Sequence, residues 1–265
     1  MAGKYHRIAD DLRRRIDDRE LTRGQQLPAE TVLMRQYGVS LPTMRSALAV
    51  LRAEGLIESR HGRGTYVRAA RQRVRRSNER YRWEKNRVTA PEAERRRTGA
   101  TERDTGLRVG DLDFFASYDD AVEADEPLAE VFGVPAGTRL LCRTYRTRSR
   151  GEAVPLSFAH SYLLYDMVKV NPDLLDERME PWPGGTQHQL HTIGIELDRI
   201  VDEITARPPR SDEVDLLDVP SGVSLLVLRK ISIDTDDRVV EVSDLVLPGD
   251  RHELVYTTPL ARRVP

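Results

Sequence analysis

The chain has 265 residues, one cysteine and a formal net charge of −1. Its length suits two domains, and a single cysteine excludes an intramolecular disulfide and is typical of a reducing, cytoplasmic compartment. Neither a signal peptide nor an apolar run long enough to span a bilayer occurs, so we expect no membrane partner.

The near-zero net charge conceals an uneven distribution. Residues 1–88 carry 21 basic against 10 acidic side chains, whereas residues 89–265 carry 21 against 33. A basic amino-terminal third attached to an acidic remainder suggests a module that binds a polyanion, although two ordinary domains with different surfaces would give the same totals.

The amino-terminal segment predicts three helices and a hairpin. Residues 4–21 show helical periodicity in Tyr5, Ile8, Leu12 and Ile16. A second helix is predicted over 29–37 and a third over 41–54, separated by Gly-Val-Ser at 38–40. Two short helices joined in this way form a helix-turn-helix, whose second helix can enter the major groove of DNA.

The third helix predicts an outward face of small residues around one arginine. Pro42, Arg45, Ser46 and Ala49 lie opposite the apolar Met44, Ala47, Leu48 and Leu51. Arg45 could contact a guanine or a phosphate, and Pro42 a thymine methyl group. The following "SRHGRGTYV", residues 59–67, predicts a hairpin with Gly62, Arg63 and Gly64 at its tip, where the arginine could reach into a narrow groove.

These motifs resemble the winged helix-turn-helix of GntR-family bacterial transcription regulators. The resemblance covers residues 4–68 and rests on Leu-Pro-x-Glu at 27–30, Gly-Val-Ser at 38–40, Thr-x-Arg at 43–45, Glu-Gly-Leu at 54–56 and Gly-Thr at 64–65. It implies DNA contacts from Thr31, Leu41, Arg45 and Gly62. Family members usually have arginine at the first two of these positions, so this chain departs from the usual operator contacts. From the resemblance and the patterns together, the expected DNA-binding residues are Thr31, Leu41, Pro42, Thr43, Arg45, Ser46, Gly62, Arg63 and Gly64.

Residues 69–111 predict a basic linker. Residues 69–88 contain Tyr81 and Trp83 among many arginines. This composition fits a disordered arm, an extension of the wing that contacts phosphates, or a helix packed by its aromatic side chains, and we favour an ordered connector that carries some phosphate contacts. Residues 95–106 are rich in glycine, threonine and charge, and we expect a mobile loop there.

The remaining residues, 112–265, predict an α+β domain with an antiparallel sheet. Short helices are expected at about 126–133, 185–194 and 211–219, the last with Ser211 as its N-cap, and strands at 139–148, 153–163, 198–208, 224–233 and 238–247. This succession resembles the UTRA effector-binding domain of the HutC subfamily of GntR regulators, in "FGVPAGTRLLCRTYRTR", "PLSFAHSYL", "GTQHQL", "LDVPSGVSLLVLRK" and "DTDDRVVEVSD". The resemblance implies a chorismate-lyase-like fold that binds a small, often anionic effector.

Candidate effector-binding residues follow from this resemblance and from alternation. Arg146 and Arg148 continue the apolar side of strand 139–148 and therefore need an anionic partner. Thr186 and Gln187 lie at a helix start, and Glu241 lies in a late strand, where it could bind ligand hydroxyls or pair with Arg146 or Arg148. His188, His191 and His160 could together bind a metal ion, but they are better explained as ordinary polar histidines. We expect neither a metal nor a cofactor.

Three functions fit these features. The first is a repressor that binds a pseudo-palindromic operator as a homodimer and responds to a small anionic effector. The second is a constitutive DNA-binding repressor whose carboxy-terminal domain only dimerises. The third is a chorismate-lyase-like enzyme, which the DNA-binding module argues against. We therefore expect a regulator and not an enzyme.

Overall fold

The computed structural model describes residues 3–60, 62–69, 71–220 and 222–260. The helices are α1 (Lys4–Asp17), α2 (Glu30–Tyr37), α3 (Leu41–Ala53), α4 (Glu79–Lys85), α5 (Glu92–Arg95), α6 (Ala100–Thr105), α7 (Glu126–Phe132), α8 (Tyr165–Val168), α9 (Gly185–His191) and α10 (Ser211–Leu217). The strands are β1 (Ile57–Arg60), β2 (Gly64–Val67), β3 (Val74–Ser77), β4 (Leu112–Glu123), β5 (Arg139–Ser149), β6 (Ser157–Leu164), β7 (Leu197–Arg207), β8 (Leu225–Asp234), β9 (Val239–Pro248) and β10 (His252–Val255).

The chain forms two compact units. The first contains Met1–Arg71 together with Pro208–Leu225, and the second contains Gln72–Arg207 and Leu226–Pro265. The first unit thus includes a short segment that comes from far along the chain. Mixed helices and an antiparallel sheet give the α+β class that the sequence predicts.

The winged helix, which we define as residues 3–69, has a core made by α1 and α3. The predicted stripe of α1 is buried at Ile8, Leu12 and Ile16, and it packs in one cluster with the buried side of α3, namely Met44, Ala47, Leu48 and Leu51. Burying a side chain of this size contributes about 1.5–3 kcal/mol. The buried stripe directs the opposite side of α3 outwards, as the periodicity predicts.

Local signals determine the turns of the winged helix. Gly38 ends α2 in the left-handed conformation, with φ of 59°, which glycine adopts without steric cost. β1 and β2 pair antiparallel with Arg60 opposite Gly64, which gives the predicted hairpin.

A six-stranded sheet in the order β4-β5-β6-β9-β8-β7 forms the centre of the second unit. Helices cover both of its faces. Helix α7 contributes Leu128, Ala129 and Phe132 to a cluster with Leu140, and α9 contributes Leu190 to another cluster with Leu141 and Leu163. Since Leu140 and Leu141 are consecutive residues of β5, their side chains point to opposite faces. A separate two-stranded parallel sheet joins β3 to β10.

Residues 72–111 differ from the sequence-based expectation. The connector is ordered, as predicted, in β3 and α4, but the expected mobile loop at 95–106 is wrong, because α6 occupies Ala100–Thr105. Asp104 is buried there and accepts a hydrogen bond from Arg80. The guanidinium groups of Arg87 and Arg103 lie 4.3 and 5.2 Å from the ring centre of Trp83. Tertiary ion pairs and cation–π contacts therefore order a segment whose composition suggests a loop.

Two smaller expectations also need correction. Ser211 is the first residue of α10 and not its N-cap; Arg210 holds that position, and its backbone N–H donates to Glu213 at 2.8 Å. Over the part of the chain that the structure describes, no helix is long and apolar enough to cross a membrane.

Candidate functional site

The outward side of α3 carries most of the predicted DNA-binding residues of the winged helix. Pro42, Arg45 and Ser46 are exposed, and Leu41 and Thr43 are half-buried. The Ser46 hydroxyl donates to the Pro42 carbonyl at 3.0 Å, which holds this side chain against the helix. The side chains beside Arg45 are therefore short, which suits close approach to base edges. Thr31, on the preceding helix, is exposed as well.

Arg45 is held by an acidic residue of the preceding helix. Its Nε donates to Glu30 Oε2 at 2.8 Å, and the Arg45 side chain is still 63% exposed. Glu30 Oε1 also lies 3.8 Å from Nη2 of Arg52. Because Glu30 binds Nε, the two terminal nitrogens of Arg45 are left to form the bidentate pair that guanine accepts.

The tip of the β1–β2 hairpin is formed by Gly62, Arg63 and Gly64, all exposed. Gly64 has φ of 106°, and a Cβ atom there would lie 2.7 Å from Nε2 of Gln26. The same Gln26 nitrogen donates to the Arg63 carbonyl at 2.8 Å. The tip therefore requires glycine both for its backbone conformation and for the contact that supports it. His61 lies outside the described residues.

Sequence reasoning missed two cations beside the start of α3. Lys4 and Arg35 line an open cleft of about 450 Å³ together with Ser40 and Thr43. Cations and hydroxyl groups beside the start of a recognition helix suit contacts with DNA phosphates, which position a protein without reading sequence. The signal in the sequence was only the general excess of basic residues.

The second unit contains a buried polar cluster centred on Arg143, a residue of β5 whose side chain is 1% exposed. Its terminal nitrogens donate to Gln189 Oε1 at 2.5 Å, Ser161 Oγ at 2.9 Å, Thr186 Oγ1 at 3.3 Å and Glu241 Oε1 at 3.4 Å. We call these five residues the Arg143 cluster. The remaining donor, Nε, is buried and has no hydrogen-bond partner among the described residues.

Glu241 is the anion of the Arg143 cluster. Besides Arg143, it accepts hydrogen bonds from Ser161 at 2.7 Å and Ser232 at 3.0 Å, and it lies 2.8 Å from Nζ of Lys230. Burial would raise the pKa of Glu241, but the charges of Lys230 and Arg143 outweigh it and lower this pKa to about 2. Glu241 is therefore ionised throughout the physiological range.

Two tyrosines and a second glutamate lie against Arg143. The hydroxyl groups of Tyr118 and Tyr145 donate to Glu180 Oε1 at 2.6 and 2.9 Å. Burial raises the pKa of Tyr118 to about 12 and the pKa of Tyr145 well above 10, so both hydroxyl groups stay protonated. The Arg143 guanidinium lies 6.0 and 5.6 Å from their ring centres. Both tyrosine protons are thus committed to Glu180, next to the buried cation of the Arg143 cluster.

Only two of the five predicted effector-binding residues lie in this cluster, namely Thr186 and Glu241. Arg146 and Arg148 point to the opposite face of β5 and are exposed. Arg148 pairs with Asp113 at 2.6 Å, and Arg146 lies over Phe115 and Phe158, so neither pairs with Glu241. Gln187 is buried but donates to the Tyr81 carbonyl at 2.9 Å.

Sequence reasoning missed Arg143. Its signal was an arginine directly after the apolar run Leu140–Cys142 on a central strand, where a buried charge requires partners. The histidines that could suggest a metal site have other contacts: Trp182 Nε1 donates to His188 Nδ1 at 2.8 Å, and His160 Nδ1 lies 3.1 Å from Thr144 Oγ1. No three His, Cys, Asp or Glu residues among those described are placed to hold a metal ion.

Comparison with known proteins matches two parts of the chain to family models. Residues 4–67 match the model of the bacterial regulatory proteins of the gntR family, and residues 120–253 match the UTRA domain, which is half of the chain. The uncharacterized HTH-type transcriptional regulator RB1450 of Rhizobium meliloti is 28% identical over 96% of this chain and 94% of its own. The HTH-type transcriptional repressor PhnF of Mycolicibacterium smegmatis is 26% identical over 94% of this chain and 89% of its own.

Solved structures share this architecture. A crystal structure described as that of a GntR-family transcriptional regulator has a TM-score of 0.63 at 25% identity and covers 98% of both chains. The crystal structure of PhnF from Mycobacterium smegmatis has a TM-score of 0.54 at 24% identity, over 96% of this chain and 99% of its own, which supports the fold. With a gntR-type winged helix followed by a UTRA domain, the chain belongs to the GntR family of bacterial transcription regulators.

Proposed function

We propose that this protein is a repressor of the HutC subfamily, which binds a pseudo-palindromic operator as a homodimer and is released by a small anionic effector. One winged helix covers a single half-site, so a two-fold operator requires two copies of the chain. Effector-driven release requires that the ligand binds the two states of the protein with different affinity.

The exposed side of α3 supports the operator-binding part of this proposal. Arg45 donates from Nε to Glu30, which leaves its terminal nitrogens for a base, and the side chains beside Arg45 are short. Two relatives that match over most of their length also have the word repressor in their names, NagR of Bacillus subtilis and PhnF of Mycolicibacterium smegmatis, at 22% and 26% identity.

The buried Nε of Arg143 is the observation that carries the effector part. A buried donor that lacks an acceptor is costly, and an anionic ligand would supply one. The Thr186 hydroxyl oxygen accepts from the same guanidinium at 3.3 Å, and its proton can be donated to such a ligand. We therefore propose the Arg143 cluster as the effector site. Thr186 and Glu241 would bind the effector there, as the sequence analysis expects.

Substitution of Arg45 tests the operator contact. We expect Arg45→Ala to weaken binding to the operator by about 10- to 200-fold, the value of one bidentate base contact, while binding to scrambled DNA changes much less. Fluorescence anisotropy with both duplexes at one salt concentration measures this. Arg14→Ala removes the same charge from α1, where Arg14 pairs with Asp11, and should leave the ratio of specific to non-specific binding unchanged. An unchanged ratio in Arg45→Ala would remove this residue from base recognition.

A panel of phosphorylated and carboxylated metabolites tests the effector response. A ligand at 100 times its Kd should stabilise the protein by about 2.7 kcal/mol, visible as a raised melting temperature. The same compound should weaken operator binding, and Arg143→Gln should abolish both effects. If no compound raises the melting temperature and operator binding stays constant, the constitutive repressor is the better description. Turnover of a chorismate-like acid by the full chain would instead support an enzyme.

A further inference from the structure

Two parts of the sequence follow the same pattern in the structure. Residues 132–141 read "FGVPAGTRLL" and residues 217–226 read "LDVPSGVSLL", and each begins at the end of a short helix and continues into a strand of the sheet. In both, the residue after the helix is left-handed: Gly133 has φ of 67° and Asp218 has φ of 45°. The pattern allows the two copies to be compared position by position.

The first difference is the residue at the helix end. Glycine adopts the left-handed conformation without steric cost, whereas aspartate does not, and a carboxylate at a helix C-terminus opposes the helix dipole. Asp218 therefore needs compensation that Gly133 does not. Arg71 supplies it: its Nη2 donates to Asp218 Oδ2 at 2.9 Å and to the Leu217 carbonyl at 3.2 Å.

Arg68 contributes to the same contact from the end of the β2 strand. Its side chain is 8% exposed, and its Nη2 donates to the Asp218 carbonyl at 2.7 Å and lies 3.6 Å from Asp218 Oδ2. The carbonyl groups at the end of α10 have no partners within the helix. Two arginines of the winged helix and its connector thus cap α10.

The second difference lies at the glycine of each copy. Gly137 has φ of 83° and open space around it, so its backbone conformation explains the glycine. Gly222 lies outside the left-handed region, but a Cβ atom there would lie 1.5 Å from the carbonyl oxygen of Ala53, at the end of α3. Here the glycine is required because two backbones touch.

A third glycine lies on the other side of this contact. Gly55 has φ of 71°, and a Cβ atom on it would lie 2.9 Å from Cγ2 of Val223 and 3.3 Å from Cγ of Pro220. The end of α3 and the residues after α10 thus each place a glycine against the other segment, Gly55 and Gly222.

We propose that Pro208–Leu225, which we call the docking segment, is an interaction surface for the winged helix of the same chain. It contacts the end of α3 and the base of the wing, and it leaves the exposed residues of α3 and the wing tip uncovered. The docking segment continues directly into β8, which carries Lys230 and Ser232, the partners of Glu241.

Hydrogen exchange of the full chain, measured by mass spectrometry without DNA or ligand, tests this proposal. Gly222→Ala inserts one methyl group where only backbone fits, and Asp218→Asn removes the charge while it keeps a residue that tolerates the left-handed conformation. We expect both to speed exchange in peptides covering 209–225 and 52–56 at least about tenfold. Arg71→Gln should act in the same way.

Two substitutions serve as matched controls. Gly110→Ala adds the same methyl group at a glycine with open space and ordinary φ, and Asp215→Asn neutralises an exposed acid of α10. Neither should change exchange in the docking segment. Wild-type protection in both Gly222→Ala and Asp218→Asn would overturn the proposal, and so would equal loosening in the controls. If Gly222→Ala unfolds the protein, Asp218→Asn, which adds no heavy atom, decides the result. Operator binding and effector response do not enter this measurement, so it can fail or succeed independently of them.

Discussion

Replacing Arg143 with methionine should lower the free energy of unfolding by about 3–5 kcal/mol, the usual cost of removing one partner from a buried ion pair. The substitution keeps an unbranched chain of similar length but leaves Glu241 with less compensation. It also leaves the amide oxygen of Gln189, now bonded at 2.5 Å, without its donor. Equilibrium unfolding in urea, followed by circular dichroism, measures the change.

Arg146→Met is the matched control for this substitution. Arg146 lies three residues further along the same strand but on the opposite, exposed face, and it contacts only aromatic rings in the contacts described above. We expect its loss to cost about 1 kcal/mol or less, the value of an exposed cation–π contact. Equal destabilisation by both substitutions would show that burial and the Glu241 pair do not distinguish these two arginines.

Acid should destabilise the protein through Glu241. Its pKa is lowered from an ordinary 4.5 to about 2, so the unfolded state binds a proton before the folded state does. The stabilisation is fully present above about pH 4.5 and is lost as pH falls towards 2, by roughly 3 kcal/mol in total. The free energy of unfolding, measured at intervals between pH 6 and pH 2, should therefore fall with pH. The difference in bound protons between the unfolded and folded states, which sets this slope, should include one proton from Glu241.

Glu241→Gln separates this contribution from the other carboxylates. The variant is expected to be less stable at pH 7, because Lys230 and Arg143 lose their shared anion, but it should lose less stability on acidification than the wild type. Glu123→Gln, at an exposed position of β4, should keep the wild-type dependence on pH. If Glu241→Gln also keeps the wild-type dependence on pH, then Glu241 is not an ionised, paired carboxylate in the folded protein at neutral pH.

The sequence by itself determined the winged helix. Its signals are local: an apolar stripe on each long helix, glycine where the backbone is left-handed at Gly38, and glycines at the hairpin tip. Each constrains a few neighbouring residues, and the structure has the elements where these signals predict them. Of the nine residues proposed to contact DNA, Thr31 and Leu41 came only from the resemblance to GntR-family regulators, and the role of all nine in binding remains a prediction.

The effector site depended on tertiary structure. Alternation along β5 separates Arg143 from Arg146 and Arg148 but cannot say which face holds the buried cluster, because helices cover both faces of the sheet. Only the positions of Ser161, Thr186, Gln189 and Glu241, which come from three other elements, make Arg143 the buried cation. The same holds for α6 and the docking segment. Their partners lie far away in sequence, as Asp104 does from Arg80 and Asp218 from Arg71, so composition alone gave no indication of the contacts that order them.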